Sequence, residues 1–307
     1  MSKIYIIHNN HYLIEDIRKN NKTDATFIRV NFSYNNNIIL KVLRKFYIKL
    51  KFPFKDIFLN KKELQKYDIK KEDIVIFFDT LADQYLDFSK KIKGKKKLWI
   101  WNTTNKKKII KLKKYFDEIY TFDKKDSLKY NLKYLEQFYW KKQESEKKKK
   151  IDLFFIGQDK GRIEFLYNLD YNIKLNNFIY VIRDKFRIYD KKYDKYLKRN
   201  FLTYENVINK ILESVCIVEI NKKGQIGLTL RALEALFLKK KLITNNKDIM
   251  NYKFYNENNI FIIDFENLTD MTINEIKNFL KTEYTIIEEK ILKDYTFEHW
   301  LQEIIKG

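Results

Sequence analysis

Glycine is scarce in this chain of 307 residues, and four of its six glycines lie in two short segments. Gly157 and Gly161 lie in Phe-Phe-Ile-Gly-Gln-Asp-Lys-Gly-Arg, and Gly224 and Gly227 lie in Lys-Lys-Gly-Gln-Ile-Gly-Leu-Thr. Glycine is needed where φ is positive or where the backbone approaches another group closely. Because both segments follow apolar runs typical of strands, they predict two strand-exit loops, the places where α/β sheets bind phosphates and nucleotides.

The first half of the sequence alternates short apolar runs with helical patterns. This alternation predicts βαβ units and a parallel sheet. The predicted strands are Ile4–Ile7, Thr26–Val30, Ile74–Phe78, Leu98–Trp101 and Glu118–Tyr120. The predicted helices are Tyr12–Lys19, Ile38–Leu50, Leu81–Ile92 and Lys106–Tyr115.

A lysine-rich run, Lys141–Lys150, follows and has no apolar residue, which is typical of an exposed linker. The alternation then restarts, with strands predicted at Leu153–Ile156, Phe178–Ile182, Cys216–Ile220, Lys241–Thr244 and Ile260–Ile263. Helices are predicted at Arg162–Leu169, Tyr204–Glu213, Leu228–Leu238, Ile273–Lys281 and Phe297–Ile305. We therefore expect an α/β protein with two Rossmann-like, doubly wound domains facing across a cleft, residues 1–145 and 146–307.

The composition bounds the cellular setting. The single cysteine, Cys216, excludes a disulfide within the chain and lies in an apolar strand. No apolar run approaches the ~18 residues of a membrane span, and the N-terminus lacks the apolar core of a signal peptide. We expect a cytoplasmic protein, peripheral at the inner face of the cytoplasmic membrane.

The chain has a formal net charge of +22, and lysine dominates it because only 8 of the 63 basic residues are arginine. This charge favours anionic partners, namely a membrane surface, nucleic acid or nucleotide phosphates. Solvated lysine faces are the alternative interpretation. The sequence has no helix-turn-helix, RRM or zinc signature, so no specific nucleic-acid partner is expected.

The segment from Cys216 to Asn246 has the pattern strand, polar two-glycine loop, helix, strand. Glu234 lies on the otherwise apolar helix, where a carboxylate near the sheet edge can accept both hydroxyls of a ribose. It is alternatively a surface residue of an amphipathic helix. Thr229 fits an N-cap, and Arg231 fits either a ligand contact or an ion pair with Glu234 at i,i+3 spacing.

The run Gly-Gln-Ile-Gly-Leu-Thr-Leu-Arg-Ala-Leu-Glu-Ala, with Lys-Leu-Ile-Thr-Asn-Asn behind it, resembles the donor-binding segment of GT-B glycosyltransferases. The upstream Phe-Phe-Ile-Gly resembles the strand and loop that open the C-terminal domain of that family. The resemblance covers 151–264 and is greatest to bacterial enzymes of capsule or lipopolysaccharide synthesis. It implies a cytoplasmic enzyme that moves a sugar from a nucleotide-sugar donor to a glycan or lipid-linked acceptor. It also implies that the last helix, near Phe297–Ile305, returns to the first domain.

The resemblance also implies roles for individual residues. Glu234, with Arg231 beside it, matches the ribose-binding glutamate of the family. The loop that meets the diphosphate and the donor sugar corresponds to Gln225, Gly227 and Thr229. The remaining donor contacts would come from the strand exits, with Gly157 in the first loop and Arg162 or Arg183 neutralising the diphosphate.

Two further expectations concern catalysis. An inverting transferase needs a base from the N-terminal half, and the candidates at strand ends are Asp79 and His8; Asp79 also fits a helix cap and His8 a packed polar group. No Asp-x-Asp triplet or zinc-type cluster is present in the sequence, so we expect no metal and no cofactor. The sequence departs from many retaining members of the family at 223–226, where no carboxylate precedes the glycine step.

Two other functions fit the same sequence. A nucleic-acid-binding protein is favoured by the charge alone. A non-catalytic nucleotide-binding module would use Glu234 but would not require Asp79.

Overall fold

The computed structural model divides the chain into two compact units, each built on a parallel sheet. The first unit is Met1–Glu136 with Phe297–Gly307, and the second is Gln137–Thr296. The structure describes residues 2–9, 11–32, 38–49, 59–79, 83–141, 147–222 and 224–307.

The first unit contains a six-stranded sheet in the order β2-β1-β5-β6-β7-β8, in which all neighbouring strands are parallel. Its strands are β1 (Ile4–His8), β2 (Thr26–Arg29), β5 (Ile74–Phe78), β6 (Lys95–Ile100), β7 (Glu118–Thr121) and β8 (Lys133–Tyr134). A separate antiparallel pair consists of β3 (Asn31–Phe32) and β4 (Leu59–Asn60). Strand β2 lies on one side of β1, and β5 to β8 follow one another on the other side, so the strand order reverses between β1 and β5.

Helices connect these strands, and several of them bury an apolar face. They are α1 (Tyr12–Asn20), α2 (Ile38–Lys49), α3 (Asp83–Ser89), α4 (Lys106–Leu112) and α5 (Lys124–Tyr130). On one side of the sheet, Ile7, Val75, Phe77 and Leu98 form a core with Ile109, Leu112 and Phe116. The βα alternation of the sequence therefore produces a doubly wound unit.

The second unit has a six-stranded parallel sheet in the order β11-β10-β9-β12-β13-β14. Its strands are β9 (Ile151–Gln158), β10 (Phe178–Ile182), β11 (Leu197–Lys198), β12 (Ser214–Glu219), β13 (Lys241–Thr244) and β14 (Ile260–Ile262). The helices are α6 (Ile163–Ile173), α7 (Tyr204–Leu212), α8 (Leu230–Phe237), α9 (Asp270–Lys281) and α10 (Glu289–Lys293). The strand order reverses between β9 and β12, and such a reversal opens a crevice at the carboxyl ends of the two strands.

The last helix, α11 (Phe297–Lys306), packs on the first sheet. Its Trp300 stacks on Phe78 with ring centroids 5.6 Å apart. The buried Lys97 on β6 donates to the carbonyls of Ile304 and Ile305, at 2.6 and 3.1 Å, and pairs with Glu118 at 3.0 Å. A lysine thus satisfies carbonyls at the end of the helix that would otherwise be unpaired.

The division between the units falls before the boundary expected after residue 145. The backbone N–H of Tyr139 donates to Tyr295, and the Tyr139 ring lies 4.9 Å from Phe237, so this stretch packs within the second unit. Trp140 stacks on Tyr204 in the same unit. Half of the predicted linker, 142–146, lies outside the described residues.

All ten strands predicted from the sequence are present, with ends that differ by at most three residues, as for β6, predicted from Leu98 and observed from Lys95. The strands that the sequence does not predict, β3, β4, β8 and β11, have two residues each, too few to show an alternating pattern. Leu50 and Leu81 of the predicted helices lie outside the described residues. In the described part of the chain, no helix is both long and apolar enough to span a bilayer.

Candidate functional site

The loop after β9 forms one wall of the crevice in the second unit. Lys160 and Gly161 both have positive φ, 44° and 87°, which turns the chain sharply before α6 begins. Arg162 then folds back, and its Nη1 donates to the carbonyl of Gln158 at 3.2 Å. A Cβ at Gly157 would lie 3.3 Å from the Phe155 ring and 3.4 Å from that Nη1, so the glycine backbone lies close to both side chains.

Asp159 fixes this loop through hydrogen bonds. It is fully buried, and its Oδ1 accepts from the backbone N–H of Ile163 at 2.9 Å. Its Oδ2 accepts from Arg187 at 2.6 Å and from the hydroxyl of Tyr189 at 2.8 Å. A carboxylate with this many donors fixes both the start of α6 and the loop after β10.

Three cations lie together at this edge of the sheet. Burial lowers the pKa of Lys160, and the positive charges of Lys222 and Arg162 lower it further. Burial also lowers the pKa of Arg162, although the carboxylates of Glu219, Asp159 and Asp184 act in the opposite direction. The mutual repulsion of Lys160, Arg162 and Lys222 favours a bound anion at this position.

Glu219, at the end of β12, is a central group that the sequence analysis missed. It is buried, and its two carboxylate oxygens accept from the hydroxyls of Thr229 and of Thr244, the latter at 2.6 Å. Burial raises its pKa, while the two threonines and then Arg162 and Arg231 oppose that rise. An acidic residue inside the apolar run Val-Cys-Ile-Val-Glu-Ile is the sequence signal that would have identified it.

The second glycine loop follows β12 and is hydrogen-bonded to Asn245 and Asn246, which follow β13. Thr229 caps α8 by accepting from the N–H groups of Arg231 and Ala232, as the sequence predicts for an N-cap. Gly227 is buried, and the N–H of Gln225 donates to Lys222 at 3.0 Å. The two glycine loops follow the neighbouring strands β9 and β12, where the strand order reverses, and the charges of Lys160 and Lys222 in these loops act on one another.

Glu234 lies on the buried side of α8, with none of its surface exposed. Its Oε2 accepts from Arg231, which is the i,i+3 ion pair, and its Oε1 has no hydrogen-bond partner among the described residues. Burial raises the pKa of Glu234, and Arg231 and then the Tyr204 hydroxyl oppose that rise. The interpretation of Glu234 as a surface residue of an amphipathic helix is therefore wrong.

The surroundings of Glu234 are aromatic. The Tyr204 side chain, at the start of α7, is close enough that the Glu234 charge adds to burial in raising the pKa of its hydroxyl. The Tyr204 ring stacks on Trp140, with centroids 5.6 Å apart. Arg231 acts electrostatically on both Glu219 and Glu234, so the two carboxylates belong to one continuous site.

Arg183 lies at the same sheet edge but is more peripheral. It follows β10, is exposed, and places its guanidinium carbon 5.3 Å from the centre of the Tyr189 ring. The structure thus brings together Gly157, Arg162, Thr229, Arg231 and Glu234, with Gln225 and Gly227 in the connecting loop. It connects Arg183 to them through Tyr189 and Asp159.

In the first unit, Asp79 lies where β5 ends, beside the point of strand-order reversal. Its Oδ1 accepts from the N–H of Trp101 at 2.8 Å and its Oδ2 pairs with Lys108 at 2.9 Å. It also borders a cavity of about 340 Å³. The other lining residues include Phe78, Leu86, Leu98, Lys107, Lys108 and Lys111.

His8 is the last residue of β1, at the sheet edge expected for a base, but its side chain is buried in the interior. It has no exposed surface and packs edge-on against Phe27, with its Nδ1 3.6 Å from Glu15. Burial lowers the pKa of His8 to about 4, with Glu15 opposing and Arg29 adding to the shift. The alternative of a packed polar group therefore describes His8 better than contact with a substrate.

His11 is the histidine that lies near Asp79. Its ring stacks on Tyr12 at 4.8 Å and lies 6.4 Å from Trp101. Burial lowers its pKa, and the charge of Asp79 opposes the shift. Within the described residues, no cluster of three or more His, Cys, Asp or Glu side chains could hold a metal ion.

No protein-family model matches the sequence, and a search of curated proteins gave no match. Solved structures do match. An α-glucosyltransferase in complex with UDP and a 13-mer DNA containing an HMU base is 11% identical over 100% of both chains, with a TM-score of 0.60. The lipopolysaccharide outer core galactosyltransferase WaaB is 12% identical over 100% of this chain and 99% of its own, with a TM-score of 0.52.

A third similar structure is sucrose-phosphate synthase from Thermosynechococcus elongatus, which is 8% identical over 100% of this chain and 98% of its own, with a TM-score of 0.57. At such low identity these likenesses bear on the fold alone. Together with the two six-stranded parallel sheets and their flanking helices, they show that the chain has the two-domain GT-B fold.

Proposed function

We propose that this protein is a glycosyltransferase that moves a sugar from a nucleotide-sugar donor to a glycan or lipid-linked acceptor in bacterial cell-surface polysaccharide synthesis. One observation carries the proposal. In a GT-B fold, the cations Lys160, Arg162 and Lys222 lie together at the strand-order reversal of the second unit, with the buried Glu219 close to Arg162. Arg231 is close to both Glu219 and the buried Glu234. That arrangement offers positive charge to a diphosphate and a hydrogen-bond acceptor to a ribose.

The diphosphate would bind the three cations above the start of α6. The departing nucleoside diphosphate gains negative charge as the bond to the sugar breaks, and fixed cations stabilise that charge in a site that excludes water. The N-terminus of α6 adds its oriented N–H groups. We propose that this stabilisation proceeds without a metal, and Gly157, Gln225, Gly227 and Arg183 would border the donor.

The ribose would bind at Glu234. Its Oε1 is buried. The described partners of this carboxylate are Arg231 and the Tyr204 hydroxyl, and a carboxylate has enough lone pairs to accept from a ribose hydroxyl as well. Arg231 holds the other oxygen and thereby fixes the carboxylate. Glu219 plays a supporting role, because it orients Thr229 at the start of the same helix.

The acceptor would bind the first unit near Asp79. The cavity beside it combines apolar walls with lysines, which suits an acceptor that carries both an apolar portion and a phosphate. Asp79 is the candidate base for the acceptor hydroxyl, held in place by Trp101 and Lys108. An anionic membrane surface, attracted by the +22 charge, would present such an acceptor.

A second candidate is transfer to nucleic acid. The similar α-glucosyltransferase was solved with DNA, and a net charge of +22 favours any polyanion. Donor hydrolysis assays with added duplex DNA or with lipid-linked oligosaccharide distinguish the two acceptors. Stimulation by DNA alone would replace the polysaccharide proposal.

The ribose assignment is tested by isothermal titration with UDP, GDP and CMP. We expect Glu234→Ala to weaken binding of the cognate nucleotide by ~1.5–3 kcal/mol, because ribose hydroxyls lose a charged acceptor. The matched control is Glu205→Ala, which removes an exposed carboxylate from α7 and should leave the affinity unchanged. Wild-type affinity in Glu234→Ala for every nucleotide would refute the assignment.

The same titration separates the phosphate contact from the ribose contact. Arg162→Ala should weaken binding of the nucleoside diphosphate but not of the nucleoside, because its proposed partner is phosphate. Arg199→Ala removes an exposed arginine of the same unit and serves as the control. Equal losses for nucleoside and diphosphate would contradict the role of Arg162.

A further inference from the structure

The stretch Arg183–Phe201, which follows β10, combines strong positive charge with exposed apolar side chains. It contains eight basic and three acidic residues, a net charge of +5. Phe186 is 91% exposed, Ile188 95% and Phe201 67%. Side chains of this size at nearly full exposure are typical of a surface that meets a partner.

The exposed residues alternate with anchored ones. Arg187 and Tyr189 both donate to the buried Asp159, and the Tyr189 hydroxyl also accepts from the N–H of Asp184 at 2.8 Å. Phe186 and Ile188 lie between and beside these anchors. The apolar side chains are thus presented by a backbone that is fixed to the donor loop.

Phe201 lies three residues beyond the end of β11, at the same edge of the sheet. Strands β10 and β11 are parallel, with Ile182 opposite Lys198, so their carboxyl ends point the same way. The N–H of Arg183 donates to the carbonyl of Lys198 at 3.1 Å, and the Tyr180 hydroxyl donates to Asn200 at 2.6 Å. The two segments beyond the strands are therefore neighbours.

The positive charges accompany the apolar groups closely. The Lys185 ammonium lies 5.4 Å from the centre of the Phe186 ring, and Arg199 is exposed two residues before Phe201. Aliphatic and aromatic side chains flanked by lysine and arginine are the composition that binds an anionic lipid interface, since the apolar groups enter the bilayer and the cations meet the headgroups. A surface for stacking nucleic-acid bases needs aromatic faces instead, and Ile188, the most exposed of the three, has none.

We propose that Phe186, Ile188 and Phe201, with the surrounding lysines and arginines, form a docking surface for an anionic lipid membrane. The inference rests on the membrane part of the proposed function and identifies the residues that carry it. Because the surface follows β10 and β11 and is anchored through Asp159 to the loop after β9, docking would bring the donor site to the lipid surface.

Vesicle co-sedimentation tests the proposal, with phosphatidylcholine vesicles compared with vesicles containing about one third phosphatidylglycerol. We expect Phe186→Ser with Ile188→Ser to weaken partitioning into the anionic vesicles by at least about tenfold, because two large apolar side chains no longer leave water. The matched control, Tyr171→Ser with Met271→Ser, removes two exposed apolar side chains from α6 and α9 and should bind as wild type does.

A second measurement detects insertion directly. Brominated lipids should quench the tryptophan fluorescence of Phe186→Trp more strongly than that of the wild-type protein. The fluorescence of Met271→Trp should be quenched no more than that of the wild type. Nucleotide affinity should be unchanged in all these variants, which shows that they fold and separates this surface from the donor site.

Each failure has a different meaning. If the wild-type protein does not bind anionic vesicles, the membrane part of the proposed function is wrong, whatever the donor titrations show. If wild-type and Ser variants bind vesicles equally, the surface is elsewhere, and Val42→Ser with Phe46→Ser tests the exposed apolar face of α2. If the Ser variants lose DNA binding and keep vesicle binding, the surface binds nucleic acid and the proposal is overturned.

Discussion

The buried His8 makes the stability of the protein depend on pH in a way that can be calculated. Its folded pKa is about 4, against an ordinary value of 6.5, mainly because burial disfavours the charged ring. Between these two values the unfolded chain binds a proton that the folded chain does not. The contribution of His8 to the free energy of unfolding is therefore fully present above pH 6.5 and is lost as the pH falls through 6.5 towards 4.

The size of this contribution follows from the difference between the two pKa values. The 2.5-unit difference (6.5 minus 4) corresponds to roughly 3 kcal/mol when fully expressed, and to about 2 kcal/mol at pH 5. Since the His8 side chain is not exposed, this interaction is not screened as a surface charge would be. Replacing His8 by glutamine removes the titration but keeps a polar group of similar size.

Urea denaturation of wild type and His8→Gln at pH 8 and at pH 5 measures the effect. The packing defect of the substitution is the same at both pH values and cancels in the comparison. From pH 8 to pH 5, we expect the free energy of unfolding to fall by about 2 kcal/mol more in the wild type than in His8→Gln.

An identical pH dependence in wild type and His8→Gln would refute the reasoning, because it would mean that His8 titrates alike in the folded and unfolded states. The variant should also retain donor turnover at pH 8. A large loss of turnover without loss of stability would return His8 to the list of catalytic candidates.

Two further predictions concern the first unit. Lys97→Met should lower the free energy of unfolding by about 2–4 kcal/mol, because two carbonyls of α11 lose a buried donor and Glu118 loses a partner. The control, Lys133→Met, removes a more exposed partner of Glu118 and should lower the free energy of unfolding by less than about 1 kcal/mol. Urea titration measures both. Asp79→Asn should leave nucleotide affinity intact and lower turnover, as measured by titration and by donor consumption with acceptor; unchanged turnover would exclude Asp79 as the base.

Local patterns in the sequence predict much of the framework. Strand β9 and strand β12 are apolar runs that end in glycine-containing loops, and a parallel sheet places such ends at one edge. The N-cap role of Thr229 was also predictable, because a threonine directly before an apolar helix accepts from its first N–H groups. These features depend on residues a few positions apart, so the sequence contains the information needed.

The environments of single side chains were not predictable in this way. Glu234 was equally consistent with the surface of an amphipathic helix, and its burial depends on Tyr204, which lies thirty residues earlier (234 minus 204) on another helix. Glu219 was overlooked because its partners Thr229 and Thr244 come from α8 and β13. Burial and pairing are set by which elements pack together, which no local pattern specifies.

The sequence by itself determined the two parallel sheets, the two glycine loops and the positive charge of the chain, because periodicity, glycine position and composition act locally or sum over residues. Only the tertiary structure decided that β9 and β12 are neighbours, that His8 is interior, and that Phe186 and Ile188 point outward from a backbone anchored on Asp159. The physical reason is that strand order and side-chain burial follow from long-range packing of the cores, in which residues far apart in sequence exclude water together.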